Sequence, residues 1–306
     1  MKTAGRTAAV AKGLALMVLA TIIWGIAPIC AKVLLRVLDP YSIALWRFVS
    51  AIAVLWPVMR MRRVRRLDRT DKLWMLLGGV GMAGNYSLFN LGLQHTTASA
   101  ANLVVQIEMA ELVFLTWLLL KERLGWQKLL GVAVIMGGIA VVFSGKGGLG
   151  ALSRAEYLFG NTILLFAGSS WALYILGQKT LVNRGMPVAQ ALVGMFSVAA
   201  VLTLLPVSVF HQTRGPMTPL VILCLVIIGV FSTGVGYLLA GRAFRLLDAS
   251  TVGATASLVP ILTIINARIF LQEQITVYLL IGALLVITGI LTIAMQDSQT
   301  PAHTNA

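Results

Sequence analysis

Two acidic residues, Glu108 and Glu111, interrupt an apolar run that extends from about residue 97 to residue 120. An ionised, unpaired carboxylate in hydrocarbon costs about 3 kcal/mol or more, so an acidic residue at that depth marks function by default. Glu108 lies eleven residues beyond Thr97, about 16 Å along a helix rising 1.5 Å per residue, which places it close to mid-bilayer. At 100° per residue the two glutamates are about 60° apart, so they share one helix face and repel when both are charged. Three roles fit: taking up and releasing a proton or cation, holding the ammonium group of a bound molecule, or pairing structurally with Arg47. Arg47 itself sits six residues into the second apolar run. From there it either snorkels to an interface or turns inward toward Glu108 or a bound carboxylate. Lys32, nearer the end of its run, is expected to snorkel.

A second set of residues could line a pocket. Tyr86, Asn90 and Gln94 recur at every fourth position of an otherwise apolar run, a polar stripe that must face a wet cavity or a neighbouring helix rather than lipid. Asn102 and Gln106 form a similar pair, but they lie 140° or more around the helix from Glu111 unless that helix is kinked near Met109. Trp24, Trp171, Tyr174 and Tyr237 complete the candidate aromatic walls, whose faces attract an ammonium group. No enzymatic constellation is visible: there is no GxGD pair or HExxH motif. His95, His211 and His303 lie at the ends of apolar runs or in the tail, and Gly168-Ser169-Ser170 has no histidine partner. No metal site or cofactor is expected. Cys30 and Cys224 lie within apolar runs and read as packing residues.

The elements that must position these residues are spans of a membrane. The 306 residues are 58% hydrophobic and 11% charged, too little polar surface to coat a soluble globule. Ten runs are long enough to cross about 30 Å of hydrocarbon. They lie near 13–35, 41–59, 73–94, 97–120, 126–144, 157–179, 188–210, 218–241, 249–271 and 275–295. The net charge of +14 is concentrated in Arg60, Arg62, Arg63, Arg65, Arg66 and Arg69, a juxtamembrane cluster suited to anionic lipid headgroups rather than nucleic acid. With the N-terminus inside, 17 basic residues fall in cytoplasmic segments and 5 on the other side, so both termini are expected in the cytoplasm. The opening segment Leu14 to Ala31 is too long for a secretory signal and is read as a retained span.

The halves repeat each other. An offset of 151 places Tyr86 on Tyr237, Ala98-Ser99 on Ala249-Ser250, Glu122 on Glu273, Gly131 on Gly282 and Gly138 on Gly289; an offset of 147 places Trp24 on Trp171 and Lys32 on Lys179. Five spans per half is an odd number, so the halves must be inverted, the arrangement from which many carriers build alternating access. The expected fold is therefore all-α, ten transmembrane helices in two inverted five-helix repeats, residues 1–150 and 151–306. The join falls in the glycine-rich stretch Gly145 to Gly150.

The recurring phrase of each half resembles the EamA-type branch of the drug/metabolite transporter superfamily. It reads Thr97-Ala98-Ser99, Lys121-Glu122-Arg123-Leu124 and Gly131 in the first half, and Asp248-Ala249-Ser250, Val259-Pro260, Gln272-Glu273-Gln274 and Gly282 in the second. Thr21-Ile22-Ile23-Trp24-Gly25 and Arg47-Phe48 are similar to the opening pattern of that family. The resemblance covers nearly the whole chain. It implies a ten-helix basket and a role as a bacterial inner-membrane carrier of small metabolites. Met109 stands where the second half has Pro260, a departure from the family pattern. Together with the acidic and aromatic residues, the expectation is an exporter of a small amine-bearing metabolite, an amino acid or a derivative including metallophores, working by alternating access with or without proton coupling, as a monomer or homodimer. The alternatives are an efflux carrier of lipophilic cations and a vitamin-type uptake carrier.

Overall fold

The computed structural model describes residues 2–61, 63–120, 125–144, 155–247 and 249–299. Lys121 to Leu124, the glycine-rich join and Asp248 lie outside these residues. Within them the chain forms ten helical rods: α1 Lys2–Leu34, α2 Pro40–Arg60, α3 Arg69–Gln94, α4 Ala98–Val104 then Ile107–Leu120, and α5 Trp126–Phe143 in the first half. The second half has α6 Ala155–Asn183, α7 Val188–Phe210, α8 Pro219–Val226 running through Ile227–Gly236 to Tyr237–Ala243, α9 Ala249–Ala256 then Leu258–Phe270, and α10 Val277–Gln299. The one β feature among the described residues is an isolated bridge, Leu38 to Thr213.

Local chemistry sets the helix starts. Asp39 accepts from the backbone N–H groups of Tyr41 and Ser42 ahead of Pro40 at the first position of α2, and Thr218 does the same for Val221 ahead of Pro219 in α8; both combine a side-chain cap with a proline whose missing N–H costs nothing there. Asp68 and Asp71 form a reciprocal capping box at the start of α3. Among the described residues, eight segments are long and apolar enough to span a bilayer. The third rod has the length, about 39 Å for its 26 residues, but is diluted by polar residues, and α9 is divided. Large apolar side chains remain exposed around the outside, among them Val201, Leu205, Trp126 and Leu284, as a lipid-facing surface requires.

Loop contacts define two faces. On one, Gly13 of α1 packs against Leu246 and Leu247, and Arg184 reaches Asp68 and Asp71; this face carries the arginine run. On the other, Val37 and Leu38 pair with Arg214 and Thr213, Lys32 reaches Leu93 and Thr96, and Glu273 reaches Ala98 and Ser99.

The inversion of the halves is visible where equivalent helices meet. A Cβ placed on Gly131 of α5 would lie 2.8 Å from the Gly289 carbonyl oxygen of α10, and one on Gly138 would lie 2.9 Å from that of Gly282. Residue numbers fall on one helix as they rise on the other, so α5 and α10 are antiparallel although they hold the same place in the repeat. Only bare glycine backbones permit this approach.

The fourth and ninth rods are broken at equivalent points, around Val105-Gln106 and at Ser257. In α9 the break precedes Pro260, which cannot donate to an earlier carbonyl. In α4 no proline is present. There the turn tightens through Gln106 N–H to Leu103, Glu108 N–H to Val105 and Met109 N–H to Gln106, and Gly168 of α6 lets the break lie close: a Cβ at Gly168 would sit 2.8 Å from the Val105 carbonyl oxygen. The fourth span is therefore two helices rather than the continuous one expected from its apolar run.

Candidate functional site

The pseudo-two-fold axis passes through an aromatic cluster. The hydroxyls of Tyr86 on α3 and Tyr237 on α8, separated by 151 residues, hydrogen-bond to each other at 2.8 Å. Each tyrosine carries an edge-on tryptophan from the opposite half: Trp24 lies 5.5 Å from Tyr237 and Trp171 lies 6.4 Å from Tyr86, between ring centroids. Trp171 and Tyr174 also pack on Tyr237, at 5.6 and 5.7 Å, and the Tyr174 hydroxyl donates to Gln178 Oε1. The three tyrosines are buried whereas Trp24 and Trp171 are half-buried. Phe48 and Phe196 back the cluster, stacked on each other and edge-on to Tyr86 and Tyr237 respectively.

Arg47 turns inward to this cluster and is only 4% exposed. Its guanidinium carbon sits 3.9 Å above the Tyr86 ring. Its Nε donates to Thr233 Oγ1 at 2.9 Å and its Nη2 to Ser232 Oγ at 3.2 Å. Both hydroxyls belong to the stretch of α8 from Ile227 to Gly236, which is wound as a π-helix. The Thr233 hydroxyl donates to the carbonyl of Ile228, five residues back. Such widened turns gather at functional sites. Trp24 Nε1 donates to the Ser232 carbonyl at 3.1 Å, so one residue links the arginine and the tryptophan. Ser232, Thr233, Phe48 and Phe196 are members of this site that pattern reading missed; the signal available was a Ser-Thr pair flanked by Gly229, Gly234 and Gly236 within an apolar run.

The glutamates are elsewhere. Ser169 of α6 donates to Glu111 Oε1 at 2.6 Å, while Glu111 Oε2 is sealed without a partner and Glu108 is buried. Ser169 and Trp171 are two residues apart on one helix, about 160° around it, so Glu111 and the aromatic cluster occupy opposite sides of α6, whereas the Glu108 backbone lies against Gly168, 3.4 Å from a Cβ placed there. Neither glutamate forms an ion pair with Arg47. The α4 break does change the angular relation of Asn102 and Gln106 to the acidic pair, as a kink near Met109 requires.

The polar stripe of α3 divides among three environments. Tyr86 is in the cluster. Asn90 is fully buried and its Nδ2 donates to the Pro40 carbonyl, stapling α3 to the start of α2. Gln94 lines a polar cleft of about 360 Å³ with Lys32, Arg36, His95, Thr96 and Glu273. Lys32 donates to the carbonyls of Leu93 and Thr96, at the end of α3, at 2.5 and 2.6 Å. Glu273, from the second half, caps the start of α4 by accepting from Ala98 N–H, Ser99 N–H and Ser99 Oγ at 2.7, 3.2 and 2.7 Å. On the arginine-rich face the halves are joined by ions: Asp71, with no exposed side-chain surface, pairs with Arg65 at 3.0 Å and Arg184 at 2.9 Å. Arg184 also pairs with Asp68 at 2.7 Å.

A family model matches the chain twice, over residues 11–144 and 158–295, and its description is the EamA-like transporter family. The chain belongs to the EamA-like transporter family. The two matches are the two five-helix repeats, so this EamA-like transporter is a multi-pass membrane protein. It is similar to an uncharacterized transporter of Archaeoglobus fulgidus, 27% identical over 288 residues and covering 92% of this chain and 97% of that one. It is 24% identical over 294 residues to an uncharacterized transporter of Haemophilus influenzae, covering 92% and 94%. The uncharacterized inner membrane transporter YhbE of Escherichia coli is 24% identical over 292 residues, covering 90% and 89%. A solved crystal structure superimposes with a TM-score of 0.69 at 16% identity, covering 95% of this chain and 98% of the other, a likeness in fold.

Proposed function

We propose that this EamA-like transporter is a secondary carrier of the bacterial inner membrane, with both termini in the cytoplasm and the Arg60 to Arg69 run against anionic headgroups. It exports a small amine-bearing metabolite, an amino acid or amino-acid-derived compound, by rocking its two inverted halves, residues 1–150 and 151–306, about the central cluster. The observation that carries this reading is the symmetric contact of Trp24, Tyr86, Trp171 and Tyr237, which places aromatic faces from both halves at one point on the pseudo-two-fold axis. Aromatic faces bind an ammonium group, and a site on that axis is the place from which either half can expose cargo. Glu108 and Glu111, beside α6 on the broken fourth helix, are the coupling groups in this reading. Substrate and proton then occupy separate places that share one moving helix.

Counterflow in proteoliposomes tests it, with amino acids in one arm and quaternary ammonium dyes in the other. Flux of the amino acids that is lost in Trp24→Ala and Trp171→Ala supports the central site; dye counterflow alone would make the protein a lipophilic-cation efflux carrier. Glu108→Gln is expected to abolish the pH dependence of flux. Undiminished, still pH-dependent flux in that variant removes Glu108 from the mechanism.

A further inference from the structure

We propose that Arg47 is the receptor for a carboxylate of the cargo, so that the central site takes zwitterions and rejects cations that lack an acid group. The inference rests on the central-site reading above and narrows its substrate class. A guanidinium carries five N–H donors and a charge that does not titrate. When buried, it is normally matched by a carboxylate, because an uncompensated buried charge is costly.

Arg47 has no such match among the described residues. Its two hydrogen bonds go to the neutral hydroxyls of Thr233 and Ser232, and its other contact is the Tyr86 ring. Other carboxylates are engaged elsewhere, Asp39 at the start of α2 and with Gln212 N–H, Glu273 at the start of α4 and Glu111 with Ser169 across α6, and the buried Glu108 forms no ion pair with Arg47 among the described residues. The side-chain atoms that are both sealed and unpartnered are Asn90 Oδ1, Thr96 Oγ1, Asn102 Oδ1, Glu111 Oε2 and the two polar atoms of Asn161. Arg47 Nη1 has no hydrogen-bond partner among the described residues and is not one of these, so that corner of the guanidinium keeps accessible surface.

The corner is in the right company. Ser232 accepts from Arg47 through its hydroxyl and from Trp24 through its carbonyl, so the cation and the half-buried indole are separated by a single residue. An α-amino acid presents its carboxylate and ammonium on one carbon. The carboxylate on Nη1 and the ammonium against the face of Trp24 satisfy both ends from adjacent side chains. A lipophilic cation gains the aromatic contact but meets the Arg47 charge, a repulsion that discriminates against it.

The test is a melting-shift titration of the purified protein in nanodiscs with three probe sets: free L-amino acids, the amines obtained by removing their carboxyl groups, and tetraphenylphosphonium. The expected result is at least one free acid that stabilises the protein, with its matching amine bound about ten- to a hundredfold more weakly, the range for a hydrogen bond to a charged group. Arg47→Gln should bring the acid down to the level of the amine. Arg47→Lys, which keeps the charge without the planar fork, should weaken the acid and leave the amine unchanged, and it carries the test if Arg47→Gln fails to fold. Equal binding of acid and amine to the unmodified protein, or acid binding unchanged in both Arg47 variants, overturns the inference. If amines or tetraphenylphosphonium then still depend on Trp24, the central site survives without the carboxylate receptor. Probes that bind independently of Trp24 and Trp171, or no shift with any probe, overturn the central site and the inference together.

Discussion

The contact between α5 and α10 gives the sharpest test of the inverted-repeat architecture. In Gly289→Ala the new methyl would begin 2.6 Å from the Gly131 carbonyl oxygen and 2.9 Å from the Ile135 nitrogen, whereas ordinary contact starts near 3.4 Å. Ile135 Cγ1, also at 2.6 Å, can swing aside, but the Gly131 oxygen and the Ile135 nitrogen are backbone atoms and cannot, so the helices must part by about 0.8 Å, the difference between 3.4 and 2.6 Å. A gap of that size forfeits roughly a quarter to a half of the dispersion energy of the atoms across it, and overpacking of this kind costs about 1–3 kcal/mol. Alanine also favours a helix over glycine by about 1 kcal/mol, which would mask part of the loss. Gly137 supplies the control, because a Cβ there meets nothing within 4 Å. The same substitution at Gly137 carries the propensity gain without the clash. Unfolding free energies of Gly289→Ala and Gly137→Ala, measured by denaturant titration in one detergent, should therefore differ by about 1–3 kcal/mol in favour of the Gly137 variant. Equal stabilities, or a more stable Gly289→Ala, would refute the close antiparallel crossing.

Two further outcomes are expected. Removing one hydroxyl in Tyr86→Phe or Tyr237→Phe leaves its buried partner unsatisfied, at a cost of about 1–3 kcal/mol; the double variant should lose less than the sum, with a coupling of roughly 0.5–3 kcal/mol in a double-mutant cycle, and strict additivity would place the hydroxyls apart. On the arginine-rich face, the Asp68 carboxyl is held below the usual carboxylate range by the Asp71 N–H first, and by Arg184 and Arg65. A depressed carboxylate contributes stability that is fully present above its unfolded pKa, about 3.9, and is lost as pH falls through the lower folded value. Melting temperature should then show no Asp68-dependent change from pH 8 to 5 and an acid limb below about pH 4 that Asp68→Asn diminishes; an Asp68-dependent slope near pH 6 would contradict the ion cluster.

Much of the frame was legible because it depends on counts and periods. The ten apolar runs became ten rods, since a segment of about twenty apolar residues in lipid has to satisfy its backbone internally as a helix. The offset of 151 that aligned Tyr86 with Tyr237 is also the sequence separation of the hydrogen bond between them, because residues related by a two-fold meet if they lie near its axis. The pairing of Trp24 with Trp171 surfaced in the same cluster for that reason.

The site was less legible. A helical wheel ranks the faces of one helix but does not say which neighbour each face meets. Glu108, Glu111 and the aromatics together carry the expectation of an amine-bearing cargo, yet Ser169 and Trp171 show that α6 stands between Glu111 and the aromatics. The pattern left a wet cavity and a neighbouring helix both open for Asn90, which is a staple to Pro40 of α2, because an amide that faces a backbone carbonyl and one that faces water share the same sequence context. The break in α4 has no proline to announce it; it depends on Gly168 of another helix.

Composition, span length and the 151-residue repeat are written in the chain because hydrophobic burial and helix period act locally on every segment, and they sufficed for an inverted ten-helix carrier. Which way Arg47 turns, what the π-wound segment of α8 offers it, and which side of α6 holds the carboxylates were decided by packing alone. Those choices rest on contacts between residues about 60 to 190 positions apart, and no local pattern carries that information.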